Sequence, residues 1–317
     1  MTILLLLCVI FPLVRPVHGR APESQDGRMN KLVVGCGYLG TPVAEEWLRD
    51  GHRVHVLTRS AEHAELFSRQ GMSPILGDIT VPKTLVDLPE VDHVLCAVGY
   101  DRRAGLSINT VYVEGLTHLL DALSTKTARL IYVSSTGVYG QNDGAWIDEN
   151  SPCLPVRAGG VACLEAERRL QNHVIGRRSV ILRMCGIYGP GRVPRIADIK
   201  AGRPIMSPED GYLNLIHRED AVRSILLAEE NAVPPDLILV GDGCPVLRRD
   251  YFSYLAQLLE TDLPDFETPQ QGAAVSARAL SDKRVTNRKM LDVLQIRLEY
   301  PSFREGLESI VALDSGE

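Results

Sequence analysis

The sequence predicts a doubly wound α/β fold, in which helices cover both faces of a parallel sheet and a small discontinuous C-terminal α/β lobe is attached. Three observations favour this fold class. The 317 residues are enough for one large domain with a smaller appendage, and 45% hydrophobic with 23% charged residues is a globular composition. Short apolar runs alternate with helical patterns along the chain. A glycine-rich turn joins the first apolar run to the first helical pattern.

That first apolar run is a predicted buried strand, and it breaks into a turn containing Gly35, Gly37, Tyr38, Leu39 and Gly40. A dinucleotide pyrophosphate binds at such a place, because the free N–H groups and the helix dipole favour an anion. The first glycine permits the tight turn, the second has no Cβ to block the phosphates, and the third lets the helix pack closely. We therefore predict a cofactor site of the Rossmann type in these five residues. The alternative is a tight turn with incidental glycines.

The second predicted strand, 53–57, ends in Thr58, Arg59 and Ser60. An acidic residue at this point would bond the ribose hydroxyls of NAD, whereas an arginine suits the 2′-phosphate of NADP. The expected cofactor is therefore NADP, with NAD as a possible substitute. The alternative for Arg59 is a solvated surface side chain.

The next two predicted strands also end at the expected ligand crevice. The strand at 73–76 leads to Asp78, which could accept a hydrogen bond from the adenine amino group or could simply be a turn residue. The strand around 94–97 ends in small residues that can lie beside the cofactor, namely Ala97, Val98 and Gly99.

A further strand, 129–133, delivers three hydroxyl side chains, Ser134, Ser135 and Thr136, to the same edge. From the residues alone, these form a hydroxyl-rich turn that satisfies backbone groups. The motif at 134–140, Ser-Ser-x-x-Val-Tyr-Gly, nevertheless resembles the extended short-chain dehydrogenase/reductase family, also called NAD-dependent epimerase/dehydratases. The resemblance implies that Ser135 is catalytic, its hydroxyl bonding the substrate oxygen that changes between alcohol and carbonyl.

Two later segments, 183–192 and 214–221, also resemble motifs of this family, in the same order. The resemblance extends from residue 31 to about 310, and it implies that Gly186 and Ile187 help to bind the cofactor. It further implies an oxidoreductase or epimerase that acts on a nucleotide sugar or on another carbonyl or alcohol substrate.

One departure from the family concerns its Tyr-x-x-x-Lys pair, in which the tyrosine exchanges a proton and the lysine lowers its pKa. Here Gly159 and Cys163 fall at those positions, and residues 142–183 include no Tyr or Lys. The sequence resembles atypical members in this respect. Either another group supplies the proton, or the protein binds NADP without turnover as a sensor or scaffold. The candidates for such a group are Tyr100, Tyr139, Cys163, Tyr188 and His217, of which Tyr139 and Tyr188 belong to turn motifs of the family.

Several cations allow two interpretations each. Arg157 and Arg183 could clamp an anionic substrate or could form ordinary ion pairs. His217 could cap a helix or hold a loop. Lys283 and Arg284 could form a basic patch against the next helix, or a solvated charged face.

Charge and cysteine content restrict the partners. The net charge of -6 and the pI near 5.8 argue against nucleic-acid and anionic-membrane binding, since both need a basic face. We expect a small-molecule substrate, and a homodimer is possible because many relatives form one. The seven cysteines are scattered without a Cys-x-x-Cys pair, so we expect reduced thiols in the cytoplasm, no metal site and no disulfide framework.

The beginning of the chain is apolar from residue 2 to residue 14. A signal peptide is one interpretation, but no positive charge precedes the run. We favour an upstream extension, with Met29 as the functional start. The run is also shorter than the about 20 residues that cross a bilayer.

The predicted organisation has three parts. Residues 1–28 are a leader or extension outside the fold. Residues 29–185 form the Rossmann domain, to which 217–241 return. The resemblance implies that residues 186–216 and 242–317 form a small substrate-binding lobe.

Overall fold

A computed structural model describes residues 27–123, 127–267 and 281–315. Nearly all of the predicted leader lies outside the described residues. The strands are β1 (Asn30–Val34), β2 (Arg53–Thr58), β3 (Ser73–Leu76), β4 (His93–Cys96), β5 (Arg129–Ser135), β6 (Asn142–Ile147), β7 (Ser179–Met184), β8 (Gly186–Tyr188), β9 (Tyr212–Leu213), β10 (Leu215–His217), β11 (Asp236–Val240), β12 (Val246–Leu247) and β13 (Asp282–Val285). The α-helices are α1 (Gly40–Arg49), α2 (Ala61–Arg69), α3 (Gly115–Ala122), α4 (Ala158–Asn172), α5 (Ile196–Lys200), α6 (Arg218–Asn231), α7 (Arg248–Leu258), α8 (Arg288–Leu294) and α9 (Phe303–Ser315).

The main sheet of the described chain has seven strands, in the order β11-β7-β5-β4-β1-β2-β3. Every neighbouring pair in it is parallel. The chain runs from β1 outward to β3 and then returns to β4 on the other side of β1. This reversal opens a crevice at the carboxyl ends of the strands, which is where ligands of doubly wound proteins bind. The predicted fold class is confirmed.

Helices cover both faces of this sheet because the strands are apolar on both sides. In β1, Leu32 and Val34 join the hydrophobic cluster that includes residues of α3 and α4, whereas Val33 joins the cluster of α1, α6 and α8. Side chains of a strand alternate between faces, so one continuous apolar run supplies both clusters.

A third hydrophobic cluster lies in the carboxy-terminal part of the molecule. Aromatic residues of α7 and α9 form its centre, with Tyr251 packed against Phe252 and Phe303. The antiparallel pair β9–β12 lies beside it, and β6 pairs in parallel with β13. The second pairing joins the segment after β5 to the segment before α8. The domain boundaries drawn from the sequence stay a prediction.

Two further features concern the described residues as a whole. No helix among them is both long and apolar enough to cross a membrane. The six cysteines that fall within them form no disulfide.

Candidate functional site

A cavity of about 960 Å³ opens at the carboxyl ends of the sheet strands and extends to the carboxy-terminal lobe. Its volume is at the upper end for small-molecule sites. The lining residues come from the glycine-rich turn, from the ends of β2, β4, β5 and β7, and from β9, β13 and α7. All the predicted site residues except Gly40 line it: Gly35, Gly37, Tyr38, Leu39, Arg59, Asp78, Ala97, Val98, Gly99, Ser135, Gly186 and Ile187.

The three glycines of the turn differ in their surroundings. Gly35 has φ +92°, and a Cβ built there would lie 2.5 Å from the Ala97 carbonyl oxygen. A Cβ at Gly40 would lie 2.3 Å from the Gly35 carbonyl oxygen, so this glycine allows α1 to start against β1. A Cβ at Gly37 would meet no atom within 4 Å. Open space at Gly37, directly before a helix amino terminus, suits a phosphate group.

Arg59 lies at the rim of the cavity with 57% of its side chain exposed, 3.8 Å from an oxygen of Asp78. The other oxygen of Asp78 accepts hydrogen bonds from the Thr80 N–H and hydroxyl, at 2.8 and 2.7 Å. The hydroxyl of Ser60 is engaged as the cap of α2, accepting from the His63 N–H at 3.2 Å. Arg59 therefore presents the positive charge at the end of β2.

The three hydroxyls at the end of β5 have different partners. Ser134 donates to Glu167 at 2.5 Å, and Thr136 donates to the Met184 carbonyl at 3.2 Å. Ser135 instead accepts from the Gly137 N–H at 3.1 Å, and its own hydroxyl proton has no acceptor among the described residues. Ser135 is thus the hydroxyl best able to donate to a bound molecule in the cavity.

Arg183 forms a buried ion pair with Glu167 of α4, at 2.6 Å, and also donates to the Tyr139 hydroxyl at 2.6 Å. It does not line the cavity, so its role is to fix β7 against α4 and the turn after β5. Arg157, immediately before α4, does line the cavity. Of the two candidate anion clamps, only Arg157 faces the crevice.

Among the five groups proposed to replace the family tyrosine, Cys163 alone lines the cavity. Tyr100 donates to the Leu106 carbonyl at 2.8 Å, and Tyr188 donates to the Ser302 carbonyl at 3.3 Å. His217 caps α6, with Nδ1 accepting from the Glu219 N–H at 3.4 Å. These three side chains, like Tyr139, are engaged in holding the fold together.

The lobe contributes lining residues that the sequence did not suggest, among them Tyr212, Asn214, Arg248 and Lys283. Lys283 is only 5% exposed, so the structure contradicts its interpretation as part of a solvated face. The Lys283 ammonium donates to the Tyr139 carbonyl at 3.0 Å and to the Ser281 hydroxyl at 2.9 Å. Lys283 belongs to a strand whose alternate residues, Lys283 and Val285, are buried. Because a charged residue occupies one of the two buried positions, the sequence shows no apolar alternation there.

The cavity is positive although the protein is negative. Its lining includes two acids, Asp78 and Asp101, and six cations: Arg59, Arg157, Arg192, Arg195, Arg248 and Lys283. Cations gathered in a cleft concentrate anions there. The arrangement is therefore suited to a phosphorylated or carboxylated ligand.

Comparisons with known proteins agree with this geometry. The sequence profile described as the NAD dependent epimerase/dehydratase family matches residues 31–241. Protein YeeZ of Escherichia coli (strain K12) is 29% identical over 240 residues, which cover 74% of this chain and 85% of that protein. The 4-hydroxy-2-methyl-3-oxo-4-farnesyl-3,4-dihydroquinoline-1-oxide ketoreductase of Stigmatella aurantiaca is 29% identical over 243 residues, covering 72% of this chain and 71% of that protein.

A solved structure of a functionally unknown conserved protein from Silicibacter pomeroyi has the same fold. Its TM-score is 0.72 at 26% identity, and the alignment covers 91% of this chain and all of that one. The family profile spans more than half of the chain and includes the glycine-rich turn, β5 and the end of β11. The chain therefore belongs to the NAD dependent epimerase/dehydratase family.

Proposed function

We propose that the protein is an NADP(H)-dependent oxidoreductase or epimerase that acts at a carbonyl or alcohol group of a small anionic molecule. The observation that carries this proposal is the single continuous cavity between the glycine-rich turn and Ser135. One end offers a cradle for a diphosphate, and the other offers a hydroxyl donor. Members of the family are NAD dependent, so a nicotinamide dinucleotide is the expected occupant of the first end.

The preference for NADP over NAD rests on Arg59. A guanidinium with half of its surface exposed can bond a 2′-phosphate, whereas an acidic residue at this place would bond ribose hydroxyls. The residues proposed to hold the cofactor are Gly35, Gly37, Tyr38, Leu39, Gly40, Arg59, Asp78, Ala97, Val98, Gly99, Gly186 and Ile187.

The reaction proposed is hydride exchange between the nicotinamide ring, when bound, and a substrate carbon. Ser135 would donate a hydrogen bond to the attached oxygen and so stabilise the negative charge that develops there. Arg157 would hold an anionic part of the substrate, because a planar guanidinium suits a phosphate or carboxylate. Nucleotide sugars fit this description, and so do other anionic ketones. The resemblance to a ketoreductase supports including ketones.

A second candidate function is NADP(H) binding without turnover, as a sensor or scaffold. The observation in its favour is that α4 contains neither tyrosine nor lysine. The resemblance to the family implies that Gly159 and Cys163 occupy the positions of its tyrosine and lysine. The two functions share the cofactor site and differ only in hydride transfer. The cytoplasmic location and the homodimer stay predictions under either function.

Titration with NADPH followed by a panel of nucleotide sugars, aldehydes and ketones separates the two functions. For the oxidoreductase we expect NADPH oxidation with at least one substrate. Ser135→Ala should then lower turnover about 100-fold, as loss of one such donor typically does, while NADPH affinity stays within twofold. Ser68→Ala, an exposed change on α2, is the matched control.

Undiminished turnover of Ser135→Ala would contradict the role of this serine. Tight NADPH binding without oxidation across the panel would favour the sensor. Absence of NADPH binding would exclude both functions.

A further inference from the structure

Lys283 occupies an irregular position in the β6–β13 pair. Asp282 is opposite Asn142 and Arg284 is opposite Trp146, so three residues of β6 face Lys283 alone and the extra residues of this irregularity belong to β6. Irregularities of this kind are common beside active sites, while β13 keeps its alternation, with Lys283 and Val285 buried. Arg284 lies over the rings of Trp146 and Tyr212, at 5.1 and 5.2 Å, whereas Lys283 is buried and lines the cavity.

The backbone around Lys283 is fixed on both sides by Asn214. The amide nitrogen of Asn214 donates to the Lys283 carbonyl at 2.8 Å, and the amide oxygen of Asn214 accepts from the Val285 N–H at 2.7 Å. The Tyr212 N–H donates to the Asp282 carboxylate at 3.0 Å. A side chain carried by a backbone held in this way is preorganised, as a functional group needs to be.

Lys283 lines the same cavity as Ser135 and Arg157. Its ammonium donates to the carbonyl of Tyr139, in the turn that follows Ser135. A Cβ built at Gly137, within that turn, would lie 3.2 Å from the Ser135 hydroxyl and 2.9 Å from the Arg157 guanidinium. An ammonium has three N–H donors, and two of these have partners among the described residues. The third is available to a molecule in the cavity.

The charged groups around Lys283 favour its neutral form. Burial, followed by the positive charge of Arg157, lowers the pKa of Lys283 to about 8, and Cys185 acts weakly in the opposite direction. Arg248 is a further cation nearby, bonded to the Ser281 carbonyl, while the adjacent Asp282 carboxylate is engaged by Tyr212. An amine that titrates close to neutral pH can both release and accept a proton during a reaction.

We propose that Lys283 is the catalytic acid and base of this site, in place of the tyrosine and lysine that α4 lacks. The proposal rests on the oxidoreductase function proposed above. A reduced nicotinamide, when bound, would supply the hydride that forms a C–H bond at the carbonyl carbon, and the C=O π electrons would move to the oxygen. The oxygen takes one proton from the Lys283 ammonium, giving an alcohol and a neutral amine, and water returns the proton. In the oxidation direction the neutral amine removes the alcohol proton.

The first experiment needs neither substrate nor cofactor. Trace acetic anhydride, which reacts with an amine only in its neutral form, is applied between pH 6 and pH 10, and acetylation at Lys283 is measured by mass spectrometry. We expect the reactivity of Lys283 to rise with a midpoint near pH 8. Arg157→Ala should move this midpoint upward, because it removes a neighbouring positive charge. A midpoint above pH 10, or no acetylation of Lys283 at pH 10, would overturn the proposal.

The second experiment measures kcat/KM against pH with whichever carbonyl compound of the panel is reduced. We expect Lys283→Met to lower kcat/KM about 100-fold or more, while NADPH affinity stays within twofold. The change of kcat/KM with pH that is centred near pH 8 should also disappear. Lys283→Arg keeps the positive charge but cannot release the proton, so it should keep the fold without restoring turnover. Lys83→Met, at an exposed position, is the matched control.

Asn214→Ala keeps the lysine but removes the two hydrogen bonds that hold the backbone around it. This variant should therefore have a lower kcat and still show the change of kcat/KM near pH 8. If Lys283→Met fails to fold, Lys283→Arg and Asn214→Ala carry the test. Wild-type kcat/KM and an unchanged pH profile in Lys283→Met or Lys283→Arg would overturn the lysine proposal alone. Failure of the wild-type protein to oxidise NADPH with any compound would instead overturn the oxidoreductase function on which it rests.

Discussion

Gly37 and Gly40 are three residues apart in one turn, yet a side chain at each would meet different surroundings. At Gly40 a Cβ would overlap the Gly35 carbonyl, whereas at Gly37 it would project into open space. The first glycine is thus required by the fold, and the second is required by what the cavity is proposed to hold. Substitutions at the two positions should separate stability from cofactor binding.

We expect Gly37→Val to keep the melting temperature within about 2 °C of wild type, while NADPH affinity falls at least about tenfold as the isopropyl group fills the space for the phosphates. Gly40→Ala should instead lower the free energy of unfolding by about 1–3 kcal/mol, because its Cβ overpacks the turn. Thermal melts and fluorescence titrations measure both effects. Wild-type NADPH affinity in Gly37→Val would show that the cofactor does not approach the turn there.

The roles of single side chains were only partly predictable from the sequence. Ser134, Ser135 and Thr136 are chemically alike, and the partners that distinguish them, Glu167 and the Met184 carbonyl, lie far along the chain. The resemblance to a family singled out Ser135, but no local pattern could have done so. The sequence could not decide between the two interpretations of Lys283 for the same reason, since its burial, which excludes the solvated one, depends on a strand from the middle of the sequence.

The element α6 is tied to the sheet through one buried carboxylate, Glu229. It forms an ion pair with Lys31 of β1 at 2.5 Å, hydrogen-bonds His93 of β4, and accepts from the Trp47 indole of α1 at 2.7 Å. Burial opposes ionisation of Glu229, but the hydrogen bond from His93 and the charge of Lys31 outweigh it and lower its pKa to about 2. Four elements therefore meet at this charge.

Glu229→Gln should lower the free energy of unfolding at pH 7 by about 3 kcal/mol, because it leaves the buried ammonium of Lys31 without a counter-charge. Because folding lowers the pKa of Glu229, the contribution of this group to the free energy of unfolding is fully present above its unfolded pKa near 4.5. That contribution is lost as the pH falls toward 2. The difference between wild type and variant should therefore shrink below pH 4. Urea unfolding at pH 7 and pH 3 measures it, with the exposed Glu230→Gln as control. Equal stability of Glu229→Gln and wild type at pH 7 would contradict this account.

Elements of the main sheet were predictable, whereas the short strands of the other pairs were not. β1, β2, β3, β4 and β11 are apolar runs bounded by turn residues, so their own composition identifies them. β6 and β13 are short and largely polar, and each is a strand only because the other is beside it. Pairing across such a separation leaves little trace in local sequence.

At the scale of the whole molecule, the main sheet and the carboxy-terminal lobe meet at a buried acid, Asp242. It follows β11, its N–H donates to the Leu215 carbonyl at 2.8 Å, and one carboxyl oxygen has no hydrogen-bond partner among the described residues. Burial, with further contributions from Asp220 and Glu305, raises its pKa to about 8. Because folding raises the pKa of Asp242, the contribution of this group to the free energy of unfolding is fully present below its unfolded pKa near 3.8. That contribution is lost as the pH rises through about 8.

Asp242→Asn mimics the neutral acid at every pH. We expect it to raise the free energy of unfolding at pH 9 by several kcal/mol and to have little effect at pH 4, since each unit of pKa shift is worth about 1.4 kcal/mol. Urea unfolding at the two pH values measures this, with the exposed Asp87→Asn as control. A variant less stable than wild type at pH 9 would show that the ionised carboxylate is needed.

The parallel pairing of β6 with β13 has a consequence for biosynthesis. During translation β6 leaves the ribosome long before its partner exists, whereas β1 to β5 and α1 can already assemble around the glycine-rich turn. The nucleotide half of the cavity can therefore form early on the nascent chain. The half that contains Lys283 is completed only when synthesis is nearly finished, so prematurely terminated chains would carry the first half alone.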